Sequence, residues 1–335
     1  SLQRNYFSKH PDIFYGGVGI HSNVDYCSPE IELLFESGLS YFRNMMYEKY
    51  HERFVKAINE VHEQAEKSDV QALGFSLENI ILSSTPQSID LDIKLQRIKS
   101  LFPSDIHIII ILREQFNMIL SLYKEYLRVG YPYHFSAFVE WIYKSQDISF
   151  YTELFYDEII KRVHDYFKPE NTHILFFEDY KNNPEKSVVN LGLDIGSILG
   201  IKNYHIEPEQ KNPALNDKTL ISKRKINQSL RHDFGEIMIS SYQNHRRKIF
   251  HQELFNNKLE EEEIYRNVIL KRAAIDLARK TPSQDESLYN EVNPEITEQM
   301  KHDFTASNQR LSKRIGKDVN KKFEYPKAEN FNLTV

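Results

Sequence analysis

Arg113 and Ser121 are the residues of this chain whose types and spacing could do chemistry together. The arginine closes an aliphatic run, residues 107–113, and the serine follows eight residues later. A guanidinium offers a planar fork of donors that matches a phosphate, and a hydroxyl adds one more. Eight helical residues advance a chain by roughly 12 Å, about two turns. The two groups could therefore grip one phosphate from two sides. The structural alternative is an arginine paired with a surface carboxylate and a helical serine that faces water.

The elements that must position this pair are legible around it. Four isoleucines and a leucine, Ile108–Leu112, suit a strand buried on both faces, as in a parallel sheet. Phe116, Ile119, Leu120, Tyr123 and Leu127 recur at three- and four-residue steps and predict an amphipathic helix. Arg113 thus falls at the carboxyl end of a strand, where open α/β sheets bind ligands. Upstream, residues 1–14 read as a helix end running into a turn, and the glycines of residues 16–19 as a loop. Residues 41–67 read as a long helix and 89–102 as an amphipathic one. Residues 72–83 hold two short extended pieces, of which 79–82 is the better strand. Downstream, residues 135–168 predict two helices rich in Tyr and Phe. Residues 172–180 predict a second strand that ends in Glu178 and Asp179, read as turn-formers. Residues 184–199 predict a helix stopped by Gly200. Strands alternating with helices imply βαβ units and a parallel sheet over residues 1–200. Residues 201–335 read as a mainly helical portion of the same single domain, 1–335. In it Ile296, Met300, Phe304, Leu311 and Ile315 form a packing stripe.

Composition narrows the function classes. The chain has 335 residues, 40% hydrophobic and 27% charged, which suits a globular protein with a substantial core. A net charge of −5 lacks the basic surplus of a nucleic-acid binder. One cysteine, Cys27, excludes an intrachain disulfide and a Cys-based zinc site. With no signal peptide and no apolar run of about 18 residues, a cytoplasmic location and no membrane span are expected. No Walker loop, zincin motif, EF-hand loop or nucleophile elbow occurs. His51 and His62 share a predicted helix but stand eleven residues apart, too far for a common metal.

Several segments, in order, carry a family resemblance. SLQRNYFSKHPDIF (1–14), GFSLENIILS (74–83), IIILREQFNMILSLYKEYLRVG (109–130), ILFFEDYKNNPEKSV (174–188) and NQRLSKRIGKDVNKKFEYP (308–326) resemble the sulfotransferases that use PAPS, 3'-phosphoadenosine 5'-phosphosulfate, and bacterial members in particular. The third segment resembles the family's 3'-phosphate motif, an Arg at a strand end with a Ser eight residues later. The resemblance implies an α/β, P-loop-NTPase-like parallel sheet flanked by helices, with a helical C-terminal portion. It also implies transfer of a sulfuryl group from PAPS to an acceptor hydroxyl or amine, carbohydrate or another small molecule, with PAP as the product nucleotide.

The resemblance further implies roles. Arg113 and Ser121 would hold the 3'-phosphate. A base must take the acceptor proton, and His21, just after the His-Pro turn, is one candidate; Glu78 is the other. The basic stretch that includes Lys211, Lys218, Lys223, Arg224 and Lys225 would close over the nucleotide as a lid, or would be a solvated face. No metal is required. The family's Lys-x-Gly-Thr-Thr phosphosulfate loop would precede Ser1, so this sequence is expected to bind the 3'-phosphate end of the nucleotide and to transfer poorly. Two other readings remain: a non-catalytic helical interaction protein on an α/β core, and a nucleotide-dependent phosphotransferase of the same fold.

Overall fold

A buried histidine opens the described part of the molecule. His10 Nδ1 accepts from the Asp12 backbone N–H at 3.1 Å, which leaves the proton on Nε2 to bond the Lys202 carbonyl at 3.1 Å. This computed structural model describes residues 10–16, 28–76, 80–82, 88–102, 106–180, 184–202, 215–230, 273–280 and 292–323. The chain divides into two compact units. The first holds Ser1–Arg113, Phe155–Asn212 and Ser307–Phe323, and the second Glu114–Leu154, Pro213–Ala306 and Glu324–Val335.

In the first unit, the turn after His10 launches β1 (Ile13–Tyr15), buried along its length. Helix α1 (Pro29–Leu33) starts with the Ser28 hydroxyl accepting from the Ile31 N–H at 3.2 Å and with proline at its first position. It runs on as a π-helical turn, Leu34–Gly38. Helix α2 (Asn44–Lys67) buries Tyr47, Tyr50, Phe54, Ile58 and Val61 at helical spacing. Strand β2 (Ala72–Gly74) then pairs parallel with β1, Ile13 opposite Ala72 and Tyr15 opposite Gly74.

Two expectations are corrected here. Residues 13–15 are a strand rather than the tail of a turn. The strand within 72–83 is the Ala-Leu-Gly piece, whereas Ile80 and Ile81 lie in a turn whose Ile80 carbonyl accepts from Lys94 Nζ at 3.0 Å. Pairing made the choice: β1 is three residues long, and its register is filled by residues 72–74.

Helix α3 (Leu91–Leu101) is capped by Asp90, whose side chain accepts from the Asp92 N–H at 2.9 Å. Its Arg97 is buried yet satisfied. The guanidinium donates to the Gly38 carbonyl at 2.7 Å and to Asn44 Oδ1 at 3.0 Å, and lies 4.0 Å from the Tyr47 ring centre.

Strand β3 (Ile108–Leu112) pairs parallel with β4 (Thr172–Phe176), Ile108 opposite Thr172 and Leu112 opposite Phe176. Successive side chains point to opposite faces. Ile110, Leu112, Ile174 and Phe176 are buried, whereas Ile111 is 37% exposed. The expectation that β3 is covered on both faces is thus corrected to one face. Helix α6 (Tyr156–Tyr166) carries Arg162, which bonds both Asp90 and Asp92. Helix α7 (Pro184–Leu199) ends at Gly200, whose φ of +69° suits glycine.

In the second unit, α4 (Gln115–Val129) buries the predicted stripe Phe116, Ile119, Leu120, Tyr123 and Leu127 and stops at Gly130, φ +122°. Helix α5 (Phe135–Lys144) adds Phe135 and Phe138, whose rings lie 5.2 and 5.5 Å from that of Tyr123. Helix α8 (Asp217–Leu230) sends the Asn227 amide to the Leu127 carbonyl in the last turn of α4 and to the Tyr131 carbonyl just past it, 2.9 Å each.

Helix α8 overturns another expectation. Lys218, Lys223, Arg224 and Lys225 are helical, and Lys223 and Arg224 are only 2% and 1% exposed. For those two, neither a lid nor a solvated face applies. Lys223 bonds Asn227, and Arg224 bonds the Tyr123 hydroxyl.

Helix α9 (Pro294–Ile315) buries Ile296, Met300, Phe304 and Leu311 as the stripe predicts, with Ile315 half-buried. A short α10 (Val319–Lys322) follows. Within the second unit Phe304 meets Phe116 edge-on at 5.6 Å. Within the first, Ser307 and Arg310 both bond the buried Asp157 carboxylate.

Candidate functional site

Strand pairing brings a cation and an aromatic ring to one strand end. Because Leu112 and Phe176 are register partners, the next residues, Arg113 and Phe177, leave β3 and β4 at the same level. The Arg113 guanidinium lies over the Phe177 ring, 4.8 Å from its centre. The Arg113 carbonyl accepts from the Tyr156 hydroxyl at 2.7 Å, which anchors the backbone under the side chain.

Phe177–Asp179 forms a 3-10 turn, in keeping with Glu178 and Asp179 as turn-formers. The turn is held at several points. The Tyr180 N–H donates to the Phe177 carbonyl at 3.0 Å, Asp179 pairs with Lys322, and the Tyr180 hydroxyl donates to Asp194 at 2.5 Å. Burial first, and then the Asp194 carboxylate, push the Tyr180 phenol up, so it stays a donor.

Directly after Arg113, the buried Glu114 caps α4. Its two carboxylate oxygens accept from the Phe116 and Asn117 N–H groups, both at 2.8 Å. A helix N-terminus attracts anions, and here a side chain of the same chain fills that position. Ser121 sits half-buried on α4, beside the buried stripe. Asn117, Lys124 and Arg128 continue its row at helical spacing. Lys124 pairs with Asp217 at 3.2 Å and Arg128 with Glu125 at 2.8 Å. Arg113 is the last residue of the first segment of the first unit, and Ser121 belongs to the second unit.

His21, Glu78 and Lys211 lie outside the described residues. At the carboxyl end of the β1–β2 pair, the Tyr15 and Ser76 hydroxyls bond each other at 2.7 Å. The Gly16 N–H there donates to the Gly74 carbonyl at 3.0 Å. Among the described residues no group of three or more His, Cys, Asp or Glu could hold a metal ion. No described helix is long and apolar enough to cross a membrane.

Sequence reasoning missed Glu114, Tyr156 and Phe177. A carboxylate one residue before an amphipathic run is a visible capping signal for Glu114. The other two act through pairings between distant segments, which no local pattern carries.

Comparison with known proteins bears on this arrangement. The model of the sulfotransferase domain matches residues 78–245, half of the chain. A solved sulfotransferase from Alicyclobacillus acidocaldarius is similar at 18% identity over 72% of this chain and 92% of its own, with a TM-score of 0.42. No curated protein matches. The matched span takes in β3, Arg113, α4, β4 and α8, and the chain, whose described strands pair parallel among helices, belongs to the sulfotransferase family.

Proposed function

We propose that this chain uses PAPS as sulfuryl donor, and that Arg113 and Ser121 recognise the ribose 3'-phosphate of the nucleotide. The observation that carries the reading is the guanidinium placed where β3 ends, inside the span that matches the family. Arginine suits the task because its charge is permanent and its donors fit two phosphate oxygens at once. Ser121 adds a neutral hydroxyl donor from the following helix. Lys211 is assigned to the same nucleotide.

In the proposed reaction an acceptor oxygen or nitrogen forms a bond to sulfur as the bond from sulfur to the leaving phosphate oxygen breaks. The acceptor proton passes to a base, His21 or Glu78, and PAP departs. Imidazole with an ordinary pKa near 6.5 is suited to that transfer at neutral pH. The acceptor is a small molecule with a hydroxyl or amine, carbohydrate among them.

Calorimetric titration with PAP tests the reading. The parent should bind, and Arg113→Ala should weaken binding by about 10- to 100-fold, the loss of charge-assisted hydrogen bonds. Ser121→Ala should cost about fivefold. An Arg113→Ala variant that binds PAP as tightly as the parent overturns the role given to that residue.

A further inference from the structure

We infer that His107 and His173 form a two-imidazole site for a divalent transition-metal ion of tetragonal preference, Cu(II) or Ni(II), at the amino end of the β3–β4 pair. The inference is independent of the nucleotide reading above. Both residues belong to the first unit. His107 is exposed and stands just before β3, and the half-buried His173 lies in β4 opposite Ile109. By alternation His173 shares its face of the strand pair with Leu175, the register partner of the exposed Ile111. The site therefore opens on the less covered face of the pair.

His107 Nδ1 and His173 Nε2 lie 2.9 Å apart, while the ring centres lie 5.1 Å apart in planes parallel to within 1°. The nitrogens are much closer than the centres, so the rings meet edge to edge rather than face to face. Two lone-pair sites thus converge from neighbouring strands, which is the arrangement a chelate needs. A proton bridges them now, and an imidazole nitrogen binds a metal only without its proton. On metal binding that proton moves to the far nitrogen of its own ring, His107 Nε2 or His173 Nδ1. A second proton, where the pair carries one, is released to water.

The separation selects the metal. A metal–imidazole bond is roughly 2.0 Å long. At that length, nitrogens 2.9 Å apart subtend an angle of roughly 90° at the metal. This is the cis angle of a square-planar or tetragonal ion. A tetrahedral Zn(II) centre would need the nitrogens roughly 3.3 Å apart. Each ring swings by roughly 45° to aim its lone pair at the ion. Among the described residues no third His, Cys, Asp or Glu joins the pair, so water completes the coordination.

Calorimetric titration of the untagged chain with Ni(II) tests the site. The parent should bind one ion, more tightly at about pH 7.5 than at about pH 5.5, where protons compete. His107→Gln and His173→Gln should each lower the affinity at least about tenfold, because the chelate is lost. With Cu(II), electron paramagnetic resonance should show two imidazole nitrogens on the ion in the parent and one in either variant. His107 lies outside the strand ladder, so its variant remains decisive if circular dichroism shows that His173→Gln is unfolded. Unchanged affinity in a folded variant overturns the inference, as does a parent that binds no ion. Tighter binding of Zn(II) than of Ni(II) overturns the tetragonal assignment.

Discussion

The first unit contains two parallel strand pairs that are finished differently. Strand β1 is buried at Ile13, Phe14 and Tyr15, and the β1–β2 pair ends in groups that satisfy one another, the Tyr15 and Ser76 hydroxyls at 2.7 Å. Gly16 follows β1 so closely against Phe75 that a Cβ there would overlap the ring. The β3–β4 pair is longer, keeps Ile111 37% exposed, and ends in a cation over a ring that is itself 38% exposed. At the first pair the Tyr15 and Ser76 hydroxyls bond across the two strands. The second holds its charged group from behind, through Tyr156, and from the side, through Phe177. Among the described residues, one parallel pair thus ends in two hydroxyls that bond each other and the other in a cation stacked on a ring, and the residues just beyond the strands make the difference.

Substitutions can break this contrast, beginning with the largest effect. Phe176→Ala removes the buried ring under β4 and should cost about 3–5 kcal/mol of stability, read from urea unfolding. Gly16→Ala forces a methyl group into the Phe75 ring, which also stacks on Phe35 at 4.9 Å. It should cost about 1–3 kcal/mol by the same measurement. Tyr156→Phe deletes the bond to the Arg113 carbonyl and should cost about 1 kcal/mol, together with a modest loss of PAP affinity in calorimetry. Ile111→Ala, on the open face of the same pair, should cost less than about 1 kcal/mol. If it costs as much as Phe176→Ala, the open face is covered in solution and the contrast fails.

The smallest effect concerns pH. At the amino end of the second pair, His107 Nδ1 and His173 Nε2 lie 2.9 Å apart with their rings parallel to within 1°. A single proton fits between them. Burial first, and then His107, lower the His173 pKa from its ordinary 6.5. The unfolded chain therefore takes up the proton more readily than the folded one. The contribution of His173 to stability is complete above pH 6.5 and shrinks as pH falls below that value, levelling off once the folded form is also protonated. His173→Gln should flatten that part of a stability-versus-pH curve measured by chemical unfolding. A curve identical to the parent's removes His173 as the cause.

Much of the frame was legible because it rests on local pattern. The period of Phe116, Ile119, Leu120, Tyr123 and Leu127 announced α4, and all are buried. Residues 184–199 followed by glycine announced α7 and its end. What misled were segments whose state depends on a distant partner. Residues 79–82 look more like a strand than 72–74, yet the register with β1 selects the latter. The basic residues from Lys218 to Lys225 look solvated, yet α8 buries Lys223 and Arg224 against polar groups of its own unit, Asn227 and the Tyr123 hydroxyl.

By itself the sequence determined the helices, the parallel αβ alternation, and the arginine at the close of an aliphatic strand, since periodicity, caps and strand composition act over a few residues. Only the tertiary structure decided which short segments pair, which face of β3 is covered, and that Phe177 lies under Arg113. These are contacts between residues far apart in the chain, such as 113 and 177 or 13 and 72. Their energy comes from packing and pairing that exist only once the separate segments have met.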